Sequence, residues 1–278
     1  MSGEPVLLGI VNVTEDSFSD GGAYLNRDAA LAHARTLAEH GADIIDLGAA
    51  ASNPRAKPVL PETEIARLAP LVDALKRDGT KISIDSFAVD TQRWALSQKV
   101  DYLNDIHGFP RPDIYPELAC SEVKLIVMHA LRDDGPARRE DETPPNLFER
   151  IIDFFESRIA ALMKAGIGRE RLILDPGMGL FLGNSRAASF MVLRRIADLK
   201  RACGLPVLIS ASRKSFLRPR GRKASEAGAA TLAAELYATA QGADYIRTHD
   251  PLALRDGLFV MRNLRAQNVK EIPEAHLL

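Results

Sequence analysis

The chain has 278 residues, 46% hydrophobic and 26% charged, which is the balance of a folded globular protein rather than a disordered one. A formal net charge of −1 argues against a broad electrostatic footprint for nucleic acid. The first twenty residues carry no Lys or Arg, the wrong chemistry for a secretory signal, and no apolar run approaches the roughly 18 residues of a membrane span.

An apolar run at 6–12 opens the chain as a buried strand, then breaks at Asn12 into a polar tail that ends in Gly21-Gly22. A helical pattern near 28–40 follows, and a second strand is expected at 43–48. The alternation continues with a helix at 62–77, a strand at 81–86, a helix at 88–98 and a strand at 101–105. A shorter helix at 112–119 leads to a strand at 124–129, and a long helix at 146–165 leads to a strand at 172–176. The remaining units are a helix at 186–202, a strand at 206–211, a helix at 224–241, a strand at 244–248 and a helix at 251–266. Repeated βα units demand parallel strands joined by crossover helices. Eight such units in a chain of this length fit a closed (β/α)8 TIM barrel, read as a single domain over 1–278. An eight-stranded open α/β sheet is the alternative. Gly41-Ala42-Asp43 and Gly242-Ala243-Asp244 each end a helix and launch a strand, a local echo that suits repeated units.

The C-terminal ends of these strands carry Asn12, Asp46, Asp85 with Ser86, Asn104 with Asp105, His129, Asp175, Ser212 to Ser215, and Arg247 with His249. In a barrel these positions converge on one face. Any one of them alone reads as a helix cap; their convergence is what points to a site. Asp85, Asn104 and Asp175 suit the donor–acceptor edge of a planar heterocycle. Lys214, Arg247 and His249, with Asn12, suit phosphate or a bound metal. Such a ring would hold a nitrogen heterocycle carrying an anionic leaving group.

Asp175-Pro-Gly is also a competent turn, and 212–215 could be a solvated one. Arg247 and His249 fall on one side of a strand by its period of two. No HxxxH or HExxH spacing suggests zinc, and His33 and His40 look like helix-surface residues. An oxygen-rich Mg²⁺ site borrowing ligands from a diphosphate fits better, with Asn12 as its protein ligand. Asn12-Val13-Thr14 matches a glycosylation sequon, which is read as chance. Cys120 and Cys203 form no CxxC pair, so a reduced, cytoplasmic setting is expected.

Several motifs in order resemble those of dihydropteroate synthases: GIVNVTEDSFSDGG (9–22), GADIIDLG (41–48), SIDSF (83–87), LNDI (103–106), LDPGMG (174–179), SRKS (212–215) and RTH (247–249). The resemblance spans nearly the whole chain. It implies a (β/α)8 barrel that joins 6-hydroxymethyl-7,8-dihydropterin pyrophosphate to 4-aminobenzoate, giving dihydropteroate and pyrophosphate in folate biosynthesis. Carried over, Asp85, Asn104, Asp175 and Lys214 would hold the pterin, with Met128 on its face and Arg247 against the ring and the pyrophosphate. Asn12 and His249 would serve the pyrophosphate–Mg²⁺ end, so that Asn12, Asp85, Lys214, Arg247 and His249 form the catalytic set. Ser215 would border the aminobenzoate pocket, and a homodimer through C-terminal helices is implied.

Two stretches depart from the family. The ordinary GESTRPG loop is replaced by GAAASNPR (48–55), in which Ser52 keeps a hydroxyl, Asn53 stands where Arg is usual, and Pro54 and Arg55 follow. The ordinary FGFGK after Asp-Pro-Gly is replaced by MGLFLGN (178–184), which is longer, lacks the Lys and moves an aromatic to Phe181. Both flank the aminobenzoate pocket, so Ser52, Pro54, Phe181 and Ser215 are the expected discriminators between aminobenzoate and drug. This combination, with LNDIHGFP (103–110), SRKSFLR (212–218) and GAATLAAEL (228–236), is similar to the acquired, sulfonamide-insensitive enzymes. Rival readings are a methyltetrahydrofolate-using methyltransferase of the same barrel type and a noncatalytic pterin-binding paralogue.

Overall fold

The computed structural model describes residues 4–13, 23–50, 58–132, 135, 138, 141–218 and 222–265. The strands are β1 (Val6–Asn12), β2 (Ile44–Gly48), β3 (Ile82–Asp85), β4 (Tyr102–Asp105), β5 (Lys124–Met128), β6 (Leu172–Asp175), β7 (Leu208–Ile209) and β8 (Tyr245–Thr248). All paired neighbours are parallel, in the order β6-β5-β4-β3-β2-β1-β8-β7. A parallel bridge between Leu174 and Val207, with Leu174 N donating to Pro206 O at 2.9 Å, joins the two ends of that order. This closure makes a barrel and sets aside the open sheet.

The helices are α1 (Ala23–Glu39), α2 (Pro61–Arg77), α3 (Val89–Ser97), α4 (Tyr115–Ala119), α5 (Leu147–Lys164), α6 (Arg186–Arg194), α7 (Ile196–Cys203), α8 (Gly228–Ala240) and α9 (Pro251–Arg265). α2 shows why such segments are helical. Pro61 sits in its first turn with Glu62 and Glu64, Lys76 and Arg77 close it, and Leu68, Leu71, Val72 and Leu75 bury one stripe against the barrel.

Three expected elements change shape. The helix expected at 186–202 is two, because Arg195 leaves helical geometry and lays its guanidinium 3.5 Å from the centre of the Phe148 ring on α5. The strand expected at 206–211 narrows to β7, since Pro206 at its start has no N–H to give. The helix at 224–241 begins as a 3-10 turn, Ala224–Glu226, before α8.

Two cores result. The larger lies between strands and helices and runs around the whole barrel. The smaller fills the barrel's inside with Leu8, Ile44, Tyr102, Ile126, Ile173 and Leu208. Side chains alternate along a strand, so the residue two places further on points inward again, one layer higher. From Ile44, Tyr102, Ile126 and Ile173 that step leads to Asp46, Asn104, Met128 and Asp175; from Tyr245 it leads to Arg247. The apolar plug therefore carries a polar layer directly on top of it.

Candidate active site

Arg247 organises that layer. Its Nε donates to Asp46 Oδ2 at 2.5 Å and its Nη2 donates to Asp85 Oδ2 at 2.7 Å. Asp46 is 0% exposed and the Arg247 side chain 15%, so this is a buried charge cluster, not a surface pair. Burial pulls Arg247 toward deprotonation, but Asp46 and Asp85 more than offset it and raise its pKa. Burial pushes Asp85 up to about 7 against the pull of Arg247, with Asp46, Asp105 and Glu64 adding repulsion. One guanidinium thus faces two carboxylates, and the mouth has a surplus of acceptors. Asp46 Oδ1 and Asn104 Oδ1 are buried and have no hydrogen-bond partner among the described residues. Acceptors in that condition are costly unless a ligand supplies donors.

Asn104 pairs in register with Asp85, and Asp175 with Met128, on the four neighbouring strands β3 to β6. Asp175 Oδ1 accepts from Gly177 N at 2.8 Å, and burial raises its pKa against the pull of Lys214. Gly177 has φ +74°, and a Cβ there would stand 2.4 Å from His129 O, which is why the turn takes glycine. Lys214 reaches across from the loop after β7. Its Nζ donates to Met178 O at 3.2 Å and lies 5.3 Å from the centre of the Phe181 ring. Burial lowers Lys214 to about 8, with Asp175 resisting.

His249 sits at the end of β8, its Nδ1 2.9 Å from Ser212 Oγ, which also accepts from His249 N at 3.2 Å. Burial, with Arg213 and Arg247 close by, drops its pKa to about 3. His249 is therefore a neutral hydrogen-bonding group at neutral pH, where its residue type had suggested a cation. Asn12 ends β1 exposed, with its Oδ1 leaning toward Gly48 beside Asp85. Ser215 is exposed at the start of a 3-10 turn, Ser215–Leu217. Ser52, Pro54 and Arg55 lie outside the described residues.

Beneath the mouth a buried polar network steadies β3 and β4. Ser86 Oγ donates to Glu64 Oε2 at 2.6 Å, and Gln92 Nε2 donates to Asp105 Oδ2 at 2.8 Å. His107 N donates to the other Asp105 oxygen at 2.8 Å. Asp46 and Ser212 gain roles here that the residues alone did not assign: one is Arg247's partner, the other His249's. The sequence signal for Asp46 was a lone acid within the apolar run 44–47.

Residues 8–249 match the pterin binding enzyme family. The chain is 56% identical over 261 residues to the type-2 dihydropteroate synthase of Escherichia coli, covering 94% of this chain and 96% of that one. It superimposes on the Xanthomonas albilineans dihydropteroate synthase with 4-aminobenzoic acid at a TM-score of 0.87 and 33% identity, covering 95% of this chain and 94% of that one. The same enzyme in complex with 7,8-dihydropteroate matches at a TM-score of 0.83 and 32% identity, covering 95% and 94%. A closed barrel whose inner layer turns polar at the strand ends, matched along nearly its whole length by these enzymes, places the chain in the dihydropteroate synthase family of pterin-binding enzymes.

Proposed function

We propose that the chain is a sulfonamide-insensitive dihydropteroate synthase. Its membership of that transferase family gives the reaction class; the residue roles and the drug insensitivity are our reading. The observation that carries it is the surplus of buried acceptors at the mouth, Asp46, Asp85, Asn104 and Asp175, set around a single guanidinium. A dihydropterin offers the ring and amino N–H donors that such a set needs. Asp85, Asn104, Asp175 and Lys214 hold it, Met128 packs on its face, and Arg247 lies against the ring.

The exocyclic carbon–oxygen bond ionises, and its electron pair leaves with the pyrophosphate oxygen. The cation left behind is delocalised over the pterin, and the buried carboxylates stabilise it. The amine nitrogen of 4-aminobenzoate attacks the same carbon and releases a proton to solvent. Arg247 and Lys214 meet the departing charge, and neutral His249 supplies a hydrogen bond. Preorganised groups of this kind each contribute about 10²–10³ in rate. The Asn12 amide oxygen suits a hard cation, whereas among the described residues no three His, Cys, Asp or Glu side chains cluster as a metal site. Asn12 would therefore hold Mg²⁺ jointly with pyrophosphate oxygens, and the ion would supply positive charge to the leaving group.

Insensitivity is assigned to Phe181, whose ring lies 5.3 Å from Lys214 Nζ; in this reading it blocks the projection of a sulfonamide beyond aminobenzoate. Ser215, exposed at the start of its 3-10 turn, is assigned to the same discrimination, and Ser52 and Pro54 are assigned to it from the sequence pattern alone. A homodimer in the cytoplasm, one 1–278 domain per subunit, belongs to the same reading. Phe190 and Tyr237, 41% and 42% exposed, line a groove of about 460 Å³ between α6 and α8 that a second copy would cover. The test is pyrophosphate release from dihydropterin pyrophosphate and aminobenzoate, with and without a sulfonamide. Turnover that persists at sulfonamide concentrations matching aminobenzoate supports the reading. Absent turnover with intact pterin binding favours a noncatalytic paralogue and overturns it.

A further inference from the structure

Phe181 does not hold its own position. It lies in a 3-10 turn, Gly179–Leu182, after β6, and that turn is stitched along its length to the loop between β5 and α5. Leu131 N donates to Phe181 O at 3.1 Å, and Asn184 N donates to Asp141 O at 2.8 Å. Between these two bonds stands Thr143. Its hydroxyl donates to Leu182 O at 2.8 Å and accepts from Ser185 N at 3.1 Å, so one side chain ties both ends of the stretch after Phe181. The fit is close: Gly183 takes φ +92°, and a Cβ there would stand 2.5 Å from Thr143 Oγ1. The Phe181 Cβ in turn lies close over Gly177, 3.4 Å from where a Cβ there would stand, so the backbone carrying the ring follows the Asp175-Pro-Gly turn on its other side.

We propose that Thr143 is a positioning residue for drug discrimination, a hydroxyl clasp that sets where Phe181 stands and hence how much room lies beyond aminobenzoate. The proposal rests on the assignment of Phe181 above. A hydroxyl is needed because the clasp must donate at one end and accept at the other, which valine of the same shape does neither of. Without it, Leu182 O and Ser185 N lose their partner, and the turn relaxes from the pterin side without altering any residue there.

The experiment compares Thr143→Val, Thr143→Ser and Phe181→Ala for the sulfonamide inhibition constant, the KM for aminobenzoate and the KM for dihydropterin pyrophosphate. Loss of two neutral hydrogen bonds corresponds to a fall of about tenfold in the inhibition constant for T143V. The KM for the pterin substrate is expected to stay put, and T143S is expected to behave like the parent. A merely structural role would lower activity without changing the ratio of inhibition constant to aminobenzoate KM. If F181A lowers that ratio and folded T143V does not, the clasp is overturned while the Phe181 assignment stands. If F181A leaves the ratio unchanged, the Phe181 assignment falls and the clasp falls with it. Should T143V fail to fold, Thr143→Ala carries the same test, because it removes the hydroxyl and adds no bulk beside Gly183.

Discussion

The two halves of this site are built on different supports. The proposed pterin half stands on strands: Asp46, Asp85, Asn104, Asp175 and Arg247 occupy five β-strands, each pinned by parallel ladders to its neighbours. The proposed aminobenzoate rim stands on loops, with Phe181 in a 3-10 turn and Ser215 in another. A strand residue cannot shift without dragging a ladder, so the half that stabilises charge is rigid and tolerates little change. A loop residue moves with a few hydrogen bonds. On the proposed reading, selectivity can therefore be rewritten on loops while the chemistry stays as it is, and the departure at 178–184 from the ordinary family pattern falls on such a loop.

The most severe way to break this contrast is Arg247→Met. It leaves Asp46 and Asp85 buried around no cation, and removing one partner of a buried pair costs about 3–5 kcal/mol. Urea denaturation should show that loss, and turnover should fall by at least about 10²–10³ because the same group meets the leaving charge. Arg247→Lys should recover only part of either, since a point charge cannot bridge two carboxylates as the fork does. A stable, active R247M would end the view of the strand half as charge-coupled.

Asp175→Asn is gentler on the fold. Its amide oxygen can still accept from Gly177 N, so the melting temperature should move little. Its amide nitrogen would present a donor to the pterin where an acceptor is needed. Calorimetric titration with a pterin should show about hundredfold weaker binding, two unmatched buried polar groups at about 1–3 kcal/mol each setting the scale. Phe181→Ala reads the other half: sulfonamide inhibition should tighten about ten- to hundredfold, the effect of relieving a steric conflict of about 1–3 kcal/mol. Pterin binding should be unmoved by it. If F181A weakened pterin binding as D175N does, the two halves would not be separable.

The same contrast decides how much could be read from residues alone. Strand-borne features were legible, because the period of two forces Asp85, Asn104, Asp175 and Arg247 to one face once the strands are found. What that reading lacked was pairing. Arg247 meets Asp46 across 201 positions, a contact made by barrel closure with no local trace. The break between α6 and α7 likewise depends on Phe148 from another helix, and propensity within 186–202 carries no sign of it. His249 looked cationic because its residue type titrates near neutrality, whereas burial beside Arg213 and Arg247 is a property of the assembled site. The loop half was legible as a departure but not as a mechanism, since nothing in 178–184 announces Thr143.

The smallest effect tests whether the strand half draws support from the helix layer behind it. Glu235 on α8 is 1% exposed, and its carboxyl lies beside Thr248, the residue between Arg247 and His249, with Oε1 buried and without a hydrogen-bond partner among the described residues. Thr248 Oγ1 in turn accepts from Asp250 N at 3.2 Å, where α9 begins. Burial lifts Glu235 to about 8, with the nearby Asp250 adding to the rise. The folded protein therefore keeps a proton on Glu235 that the unfolded chain gives up near its ordinary value of 4.5. Between those values the native state binds more protons than the unfolded one, so stability falls as pH rises and levels off only above the folded pKa. Glu235→Gln keeps an acceptor beside Thr248 and cannot ionise. Its unfolding free energy should decline less than the parent's between pH 6 and pH 8, by about 1–2 kcal/mol. Asp85 titrates in both proteins, so the difference between the two curves isolates Glu235. Parallel curves would mean that Glu235 is already ionised in the folded protein, and that the strand carrying Arg247 does not depend on a neutral acid behind it.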